Sequence, residues 1–224
     1  MKKTEINMDL NNFPLRLHPY LKAGKVYDSS CSPNARTLYC DAGSYIKIAP
    51  RGELAREGEM GRLFHSLGLG VEVLEYLTDD RDYLVTRSAR GEDLTHCLEE
   101  PEHICRILAQ ALRTLHGMTM EGVPESRKLA EYGEQGKGKL NADTLIHGDA
   151  CLPNVIAHEG AFSAFIDCGL GGMGDRHIDL YWAIWSLWFN LKTDAYTDLF
   201  LDLYGREDVD PQRLRMVAEL EAMD

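Results

Sequence analysis

The hydrophobic pattern of this chain changes period once, near residue 90, and that change limits the folds open to it. Before it, apolar residues recur as they do in strands. RTLYCD (36–41), the turn residues Ala42 and Gly43, and SYIKIAP (44–50) read as a β-hairpin. VEVLEYLTD (71–79) and DYLVTRS (82–88) read as a second, turning near Asp80 and Arg81. Between the hairpins, Leu54, Met60, Leu63, Phe64 and Leu67 are spaced as on a helix. After the change the period is helical. Pro101 is placed to start a helix whose apolar stripe is Ile104, Ile107, Leu108, Ala111, Leu112 and Leu115. Residues 120–142, rich in Gly, Glu and Lys, read as a loop with at most one short helix. DLYWAIWSLWFNL, AYTDLFLDLYG and PQRLRMVAELEAM are three closing helices, with Gly205 ending the second and Pro211 starting the third.

The expected fold class is therefore α+β. A small β-rich lobe spans 1–90, a mainly helical lobe spans 91–224, and RSARGED (87–93) is the hinge beside a cleft. With 224 residues there is enough chain for one domain or two small lobes. No apolar run reaches the roughly 18 residues that a membrane span needs. MKKTEINMDLNNFP has two lysines but no apolar segment behind them, so no signal peptide is expected. The cysteines at 31, 40, 97, 105, 151 and 168 lack CxxC spacing and suit reduced thiols in a cytoplasm. A net charge of −12 argues against nucleic acid as partner, because phosphate contacts need basic patches. The same charge favours a cationic partner, or serves solubility alone.

The chemistry concentrates in LIHGDACLPN (145–154) and the residues just beyond it. VIAH, Glu159-Gly160 and AFSAFID read as strand, two-residue turn and strand. Asn154 lies just before the first strand and Asp167 closes the second, so the two meet at the open end of the hairpin. Asp149 sits in the loop feeding that end. An amide and a carboxylate side by side suit a hard cation such as Mg²⁺, which takes few protein ligands and fills its shell with water and phosphate. A second carboxylate off the metal is then free to orient a nucleophile or take its proton. Those are the parts of phosphoryl transfer. Asp and Asn also cap turns routinely, but three of them converging on one point favour the metal-and-base reading.

HGDACLPN followed by FIDCG resembles the catalytic loop and metal-binding segment of the aminoglycoside phosphotransferases, antibiotic kinases with a bilobal, protein-kinase-like fold. The likeness continues through DRHIDL (175–180) and more loosely from residue 30 onward. It implies that Asp149 is the catalytic aspartate facing the substrate hydroxyl and that Asn154 and Asp167 bind Mg²⁺. It makes His147 a brace of the loop and Asp179 a support that hydrogen-bonds it, although a plain helix N-cap explains Asp179 equally well. Strand alternation in SYIKIAP puts Tyr45 and Lys47 on one face. By resemblance, Lys47 pairs with Glu57 and touches the α- and β-phosphates of ATP, or of GTP in its place. Tyr45 stacks on the base, the backbone of Ala89 hydrogen-bonds it, and Ser32 in DSSCSPNAR lies over the phosphates. Taken alone, Lys47 also fits a solvated edge-strand lysine.

An aminoglycoside is a polycation bearing hydroxyls, so carboxylates should line its site. Glu131 and Glu134 in the mid-chain loop, and Glu219, Glu221 and Asp224 near the end of the last helix, come from the two regions that grip the drug in that family. Two departures stand out: Leu170 replaces a common arginine, and the stretch between His116 and His147 is short. The same fold phosphorylates choline, homoserine, methylthioribose, fructosamines and macrolides, and a nucleotide-holding module without turnover is the non-enzymatic rival. A zinc site from His147, Cys151 and Cys168 matches no standard spacing. Trp182, Trp185 and Trp188 have helical spacing that favours core packing over a sugar platform. The expectation is a cytoplasmic, magnesium- and ATP-dependent kinase of aminoglycosides, monomeric or weakly dimeric.

Overall fold

A computed structural model describes residues 4–31, 35–136 and 138–222. The chain divides into two compact units, one of Met1–Ser66 with Val71–Ser88 and one of Leu67–Gly70 with Ala89–Asp224.

The first unit is built on β1 (Thr4–Glu5), α1 (His18–Lys22), β2 (Val26–Asp28), β3 (Arg36–Cys40), β4 (Ser44–Pro50), α2 (Ala55–Ser66), β5 (Val73–Thr78) and β6 (Arg81–Arg87). Its sheet runs β1-β2-β3-β4-β6-β5, antiparallel throughout. Both expected hairpins form, the first with Cys40 opposite Ser44 and the second with Thr78 opposite Asp82. The period-2 pattern of β4 sorts its side chains: Ser44, Ile46 and Ile48 are buried, and Tyr45 and Lys47 half-buried on the other face. Ile46 and Ile48 join Leu17, Leu21, Val26, Leu38, Cys40, Tyr83 and Val85 in one core. Each such side chain stabilises the fold by roughly 1.5–3 kcal/mol when fully buried. β1, β2 and α1 carried no sequence signal, because their two to five residues are too short for a period to register.

The second unit contains β7 (Glu92–Asp93), α3 (Pro101–His116), α4 (Arg127–Glu131), α5 (Gly133–Gly136), β8 (Thr144–Ile146), β9 (Val155–His158), β10 (Ala161–Phe165), β11 (Gly172–Gly174), α6 (Arg176–Leu191), α7 (Thr197–Tyr204) and α8 (Pro211–Glu221). Pro101 starts α3, and the apolar stripe is buried along the whole helix. The segment expected as a hinge is not all connection. Arg87 still belongs to β6, and Glu92–Asp93 pair with β9. Gly91 stands at φ +97° where a Cβ would lie 1.9 Å from the Ala157 carbonyl oxygen, so only glycine lets the chain approach β9 there. Residues 120–142 hold two short helices rather than one, α4 capped by the Ser126 hydroxyl, which accepts from Leu129 N–H at 3.0 Å.

α6 starts three residues before the expected segment, because Asp175 is its N-cap and accepts from His177 N–H at 3.0 Å. Of the aromatic run on α6, Trp182 packs against the buried cluster of Leu129, Ile178, Val217 and Leu220 as its spacing suggested, whereas Trp188 does not pack into the core. Trp182 and Trp185 are half-buried and Trp188 is 51% exposed. Rings also pack along the helix, Trp182 edge-on to Trp185 and Trp185 stacked on Phe189 at 5.0 Å. Among the described residues no helix is long and apolar enough to cross a membrane.

Candidate active site

The hairpin of β9 and β10 turns through Glu159 and Gly160, both at positive φ, the geometry a two-residue turn needs to match strand twist. Phe165 pairs with Val155, and one step further Ile166 N–H donates to the Asn154 carbonyl at 3.1 Å. That bond sets Asn154 at the open end of the hairpin, one residue from Asp167. β10 ends at Phe165, so Asp167 lies beyond the strand rather than closing it. Its backbone is left-handed, φ 56° and ψ 45°, one of three such non-glycine residues among those described. Asp tolerates this region better than most residues, and strained positions gather at functional sites.

Asn154 is buried at the end of the turn Leu152–Asn154, and Pro153, with no N–H, bars helical pairing back to the Asp149 carbonyl. Its side-chain amide donates to the Asp149 carboxylate at 2.8 Å and to the Asp149 carbonyl at 3.0 Å. Both donations use Nδ2, so Oδ1 is the atom left for a cation. Among the described residues no three His, Cys, Asp or Glu side chains form a metal cage. One amide oxygen and one carboxylate fit Mg²⁺, which needs few protein ligands when phosphate and water complete its shell.

The loop is suspended from behind. His147 N–H and Gly148 N–H donate to the two oxygens of buried Asp179 at 2.8 and 2.7 Å. Asp179 therefore lies within the first turn of α6 and caps nothing; Asp175 has that task. The His147 ring closes a second brace. Nε2 donates to the Ile166 carbonyl at 2.8 Å and Nδ1 accepts from Asp149 N–H at 3.2 Å, which fixes the neutral Nε2–H tautomer. With both ring nitrogens engaged, His147 has no lone pair for zinc. Burial pushes the Cys151 thiol well up, reinforced by the Asp149 carboxylate, so it is neither a ready metal ligand nor a nucleophile.

Two supports escaped sequence reasoning. His116 Nε2 donates to Asp179 at 3.1 Å, and its Nδ1 pairs with the Tyr204 hydroxyl at 2.8 Å. Burial pushes Tyr204 up to about 12, which keeps its proton available to that bond. A signal existed: His116 follows Leu108 and Leu112 at intervals of four, a polar residue on the buried stripe of α3. Ser186 also holds the loop, its hydroxyl accepting from Leu152 N–H at 2.9 Å.

In the first unit, Lys47 Nζ donates to both oxygens of Glu57 at 2.9 and 2.8 Å. Tyr45 lies on the same face of β4 and packs against Tyr39 at 4.9 Å, which packs in turn against Tyr27. Ala89 is the first residue of the second unit's long segment. Ser32 and Asp224 lie outside the described residues. Glu131, Glu134 and Glu219 fall on α4, α5 and α8, all three exposed. Glu221 is held from inside the second unit by Lys128 at 3.0 Å, Trp182 Nε1 at 3.1 Å and the Tyr132 hydroxyl.

A profile described as the phosphotransferase enzyme family matches residues 137–217. The probable aminoglycoside 3'-phosphotransferase of Lactococcus lactis is 38% identical, with 95% of each chain covered. The streptomycin 3''-kinase of Streptomyces griseus is 37% identical over 82% of this chain and 85% of its own. The solved structure of aminoglycoside phosphotransferase APH(3'')-Id from Streptomyces rimosus is 21% identical and covers 96% of this chain and 98% of its own, with a TM-score of 0.75. Its complex with ADP and streptomycin gives 0.72. The structural likeness speaks for the fold, and the sequence relatives speak for the lineage. The chain belongs to the aminoglycoside phosphotransferase family and is a phosphotransferase that takes an alcohol group as acceptor, aminoglycoside 3'-phosphotransferase-like.

Proposed function

We propose that this chain transfers the γ-phosphoryl group of ATP to a hydroxyl of an aminoglycoside of the kanamycin or neomycin type. The observation that carries the reading is the fixed carboxylate of Asp149, held by the Asn154 amide and placed by a loop hung from Asp179. An aspartate so oriented can receive an acceptor hydroxyl by hydrogen bond and take its proton as the phosphoryl group departs from ADP. Asn154 Oδ1 and the Asp167 carboxylate would hold Mg²⁺, which supplies charge neutralisation at the phosphates. Lys47, kept straight by Glu57, would meet the phosphates that are not transferred. Tyr45 would stack on the base and the Ala89 backbone would hydrogen-bond it. Most of the acceleration then comes from positioning and charge stabilisation, with no covalent intermediate on the protein.

For the acceptor, Glu131, Glu134 and Glu219 are the exposed carboxylates suited to ammonium groups. Glu221 has three internal donors already, so its part would be to shape the wall. Streptomycin is the second acceptor to weigh, because a relative 37% identical is named for it. The site of action we propose is the cytoplasm, where ATP is supplied.

The test is ADP release with kanamycin, neomycin, streptomycin, choline, homoserine and a macrolide, each with ATP or GTP and with or without magnesium. Magnesium-dependent turnover on kanamycin or neomycin above all others is expected. Turnover on choline or homoserine alone would replace the acceptor, and nucleotide binding with no turnover on any of them would leave a binding module.

A further inference from the structure

We infer that Asp82 is the positioning residue for the Lys47–Glu57 pair. The inference rests on the reading of that pair as a phosphate-binding device.

The register places the two on one face. Lys47 is opposite Leu84 and Ala49 opposite Asp82, and residues paired across two strands, or two apart along one, share a side of the sheet. Tyr45, Lys47 and Ala49 of β4 therefore line one face together with Leu84 and Asp82 of β6. The start of α2 packs on that face. Leu54 is 3% exposed and clusters with Ala49 and Leu84, and Glu57 takes the Lys47 amine.

Leu54 is the last residue before α2, and its carbonyl accepts the first helical bond, from Gly58 N–H at 2.9 Å. This is the N-cap position, where a short polar side chain is usual and leucine offers none. The sheet instead takes the N–H of Leu54 itself, the donor that a capping box leaves to the N3 carboxylate, here Glu57. Asp82, fully buried, accepts from Leu54 N–H at 3.0 Å and from the Tyr76 hydroxyl at 3.0 Å on the same oxygen. Leu54 and Glu57 are three residues apart, one helical turn, so the first turn of α2 is gripped at two points from a single face of the sheet. A negative group at a helix N-terminus is also favoured by the helix dipole.

Burial opposes ionisation of Asp82, yet the amides of Gly52 and Leu54 and the hydroxyls of Thr78 and Tyr76 hold its carboxyl below the usual value. An apolar residue would fill the same space without a desolvation cost. What the carboxylate adds is a fixed direction for the Leu54 peptide, and with it the azimuth of Glu57.

The experiment is a double-mutant cycle on Asp82→Ala and Glu57→Gln, with Asp82→Asn as the conservative variant. Two readouts are taken: kcat/KM for ATP, and the rate at which an amine-reactive ester acylates Lys47, followed by mass spectrometry against the other lysines. Asp82→Ala should lower kcat/KM by about tenfold and accelerate Lys47 acylation severalfold, because a charge-assisted pair that loses its alignment loses most of its strength. Asp82→Asn retains an acceptor oxygen and should recover both. The double variant should be no worse than Glu57→Gln alone. Should Asp82→Ala not fold, Asp82→Ser, too short to reach Leu54, is read by the acylation rate instead. Unchanged Lys47 acylation in these variants, or effects that multiply in the double variant, overturns the inference. If the wild type phosphorylates no acceptor, the proposed function fails, and the acylation rates still decide the role of Asp82.

Discussion

The side-chain amide of Asn154 donates to the carboxylate of Asp149 at 2.8 Å and to its carbonyl at 3.0 Å, tying the two ends of the loop together. One residue thus orients the proposed base and keeps its own oxygen for a cation. Asn154→Ala should remove both functions. Turnover should fall by about 10²-fold or more, the order expected when a positioned acid–base group is lost, and the magnesium needed for half-maximal rate should rise. A magnesium titration of initial rates checks this; an unchanged midpoint would take Asn154 out of the metal site.

Asp149→Ala separates chemistry from binding. Its carboxylate lies off the cation in the proposed arrangement, so kcat should drop by roughly 10²–10⁴-fold while ADP affinity stays within about threefold. Calorimetric titration with ADP and magnesium gives the second number. Loss of nucleotide affinity in a folded variant would contradict the assigned role.

Asp179→Ala leaves the His147 and Gly148 amides buried without their acceptor. Each orphaned donor costs roughly 1–3 kcal/mol, and the His116–Tyr204 pair loses its anchor as well. Urea unfolding should show the loss, with kcat reduced more than KM because the displaced element is the loop of Asp149.

Asp175 carries a pH signature. Burial raises its carboxyl, but donation from the His177 ring and from the Asn141 and His177 amides outweighs burial and brings it to about 2. The folded value lies below the unfolded one. The stabilisation is therefore complete above the ordinary carboxylate range and is lost as pH falls through about 2. A shift of that size is worth about 2 kcal/mol. Unfolding free energies of the wild type and Asp175→Asn should differ by that amount near neutrality and converge in acid; parallel curves would show that the carboxylate contributes nothing.

Gly91→Ala tests the junction of β7 with β9. A methyl group there meets the Ala157 carbonyl oxygen at 1.9 Å on a backbone of positive φ, so at least about 2 kcal/mol of stability should go. A melting temperature within a degree of the wild type would mean that the strand pair yields at no cost.

Much of this protein could be read in its chain. The β9–β10 hairpin was legible because Glu159-Gly160 is a turn dipeptide with one good geometry, and the meeting of Asn154 with the segment leading to Asp167 is a consequence of that hairpin. The helix α3 was legible because its stripe repeats often enough to define a period. The exposed rings of α6 were not, since helical spacing says which residues share a face and nothing about what covers that face.

Local order, then, was written in the sequence: the two periods, the turn chemistry, and the residue types that phosphoryl transfer needs at a spacing a hairpin can close. The contacts across long stretches of chain were decided by the tertiary structure alone. Asp82 reaches back to Leu54, Ser186 to Leu152, and Tyr204 to His116. Each pairs polar groups from elements far apart in sequence, and periodicity carries no information about such pairs. They exist because burying a donor or an acceptor is costly until a partner is found, and only the folded chain determines which partner lies within reach.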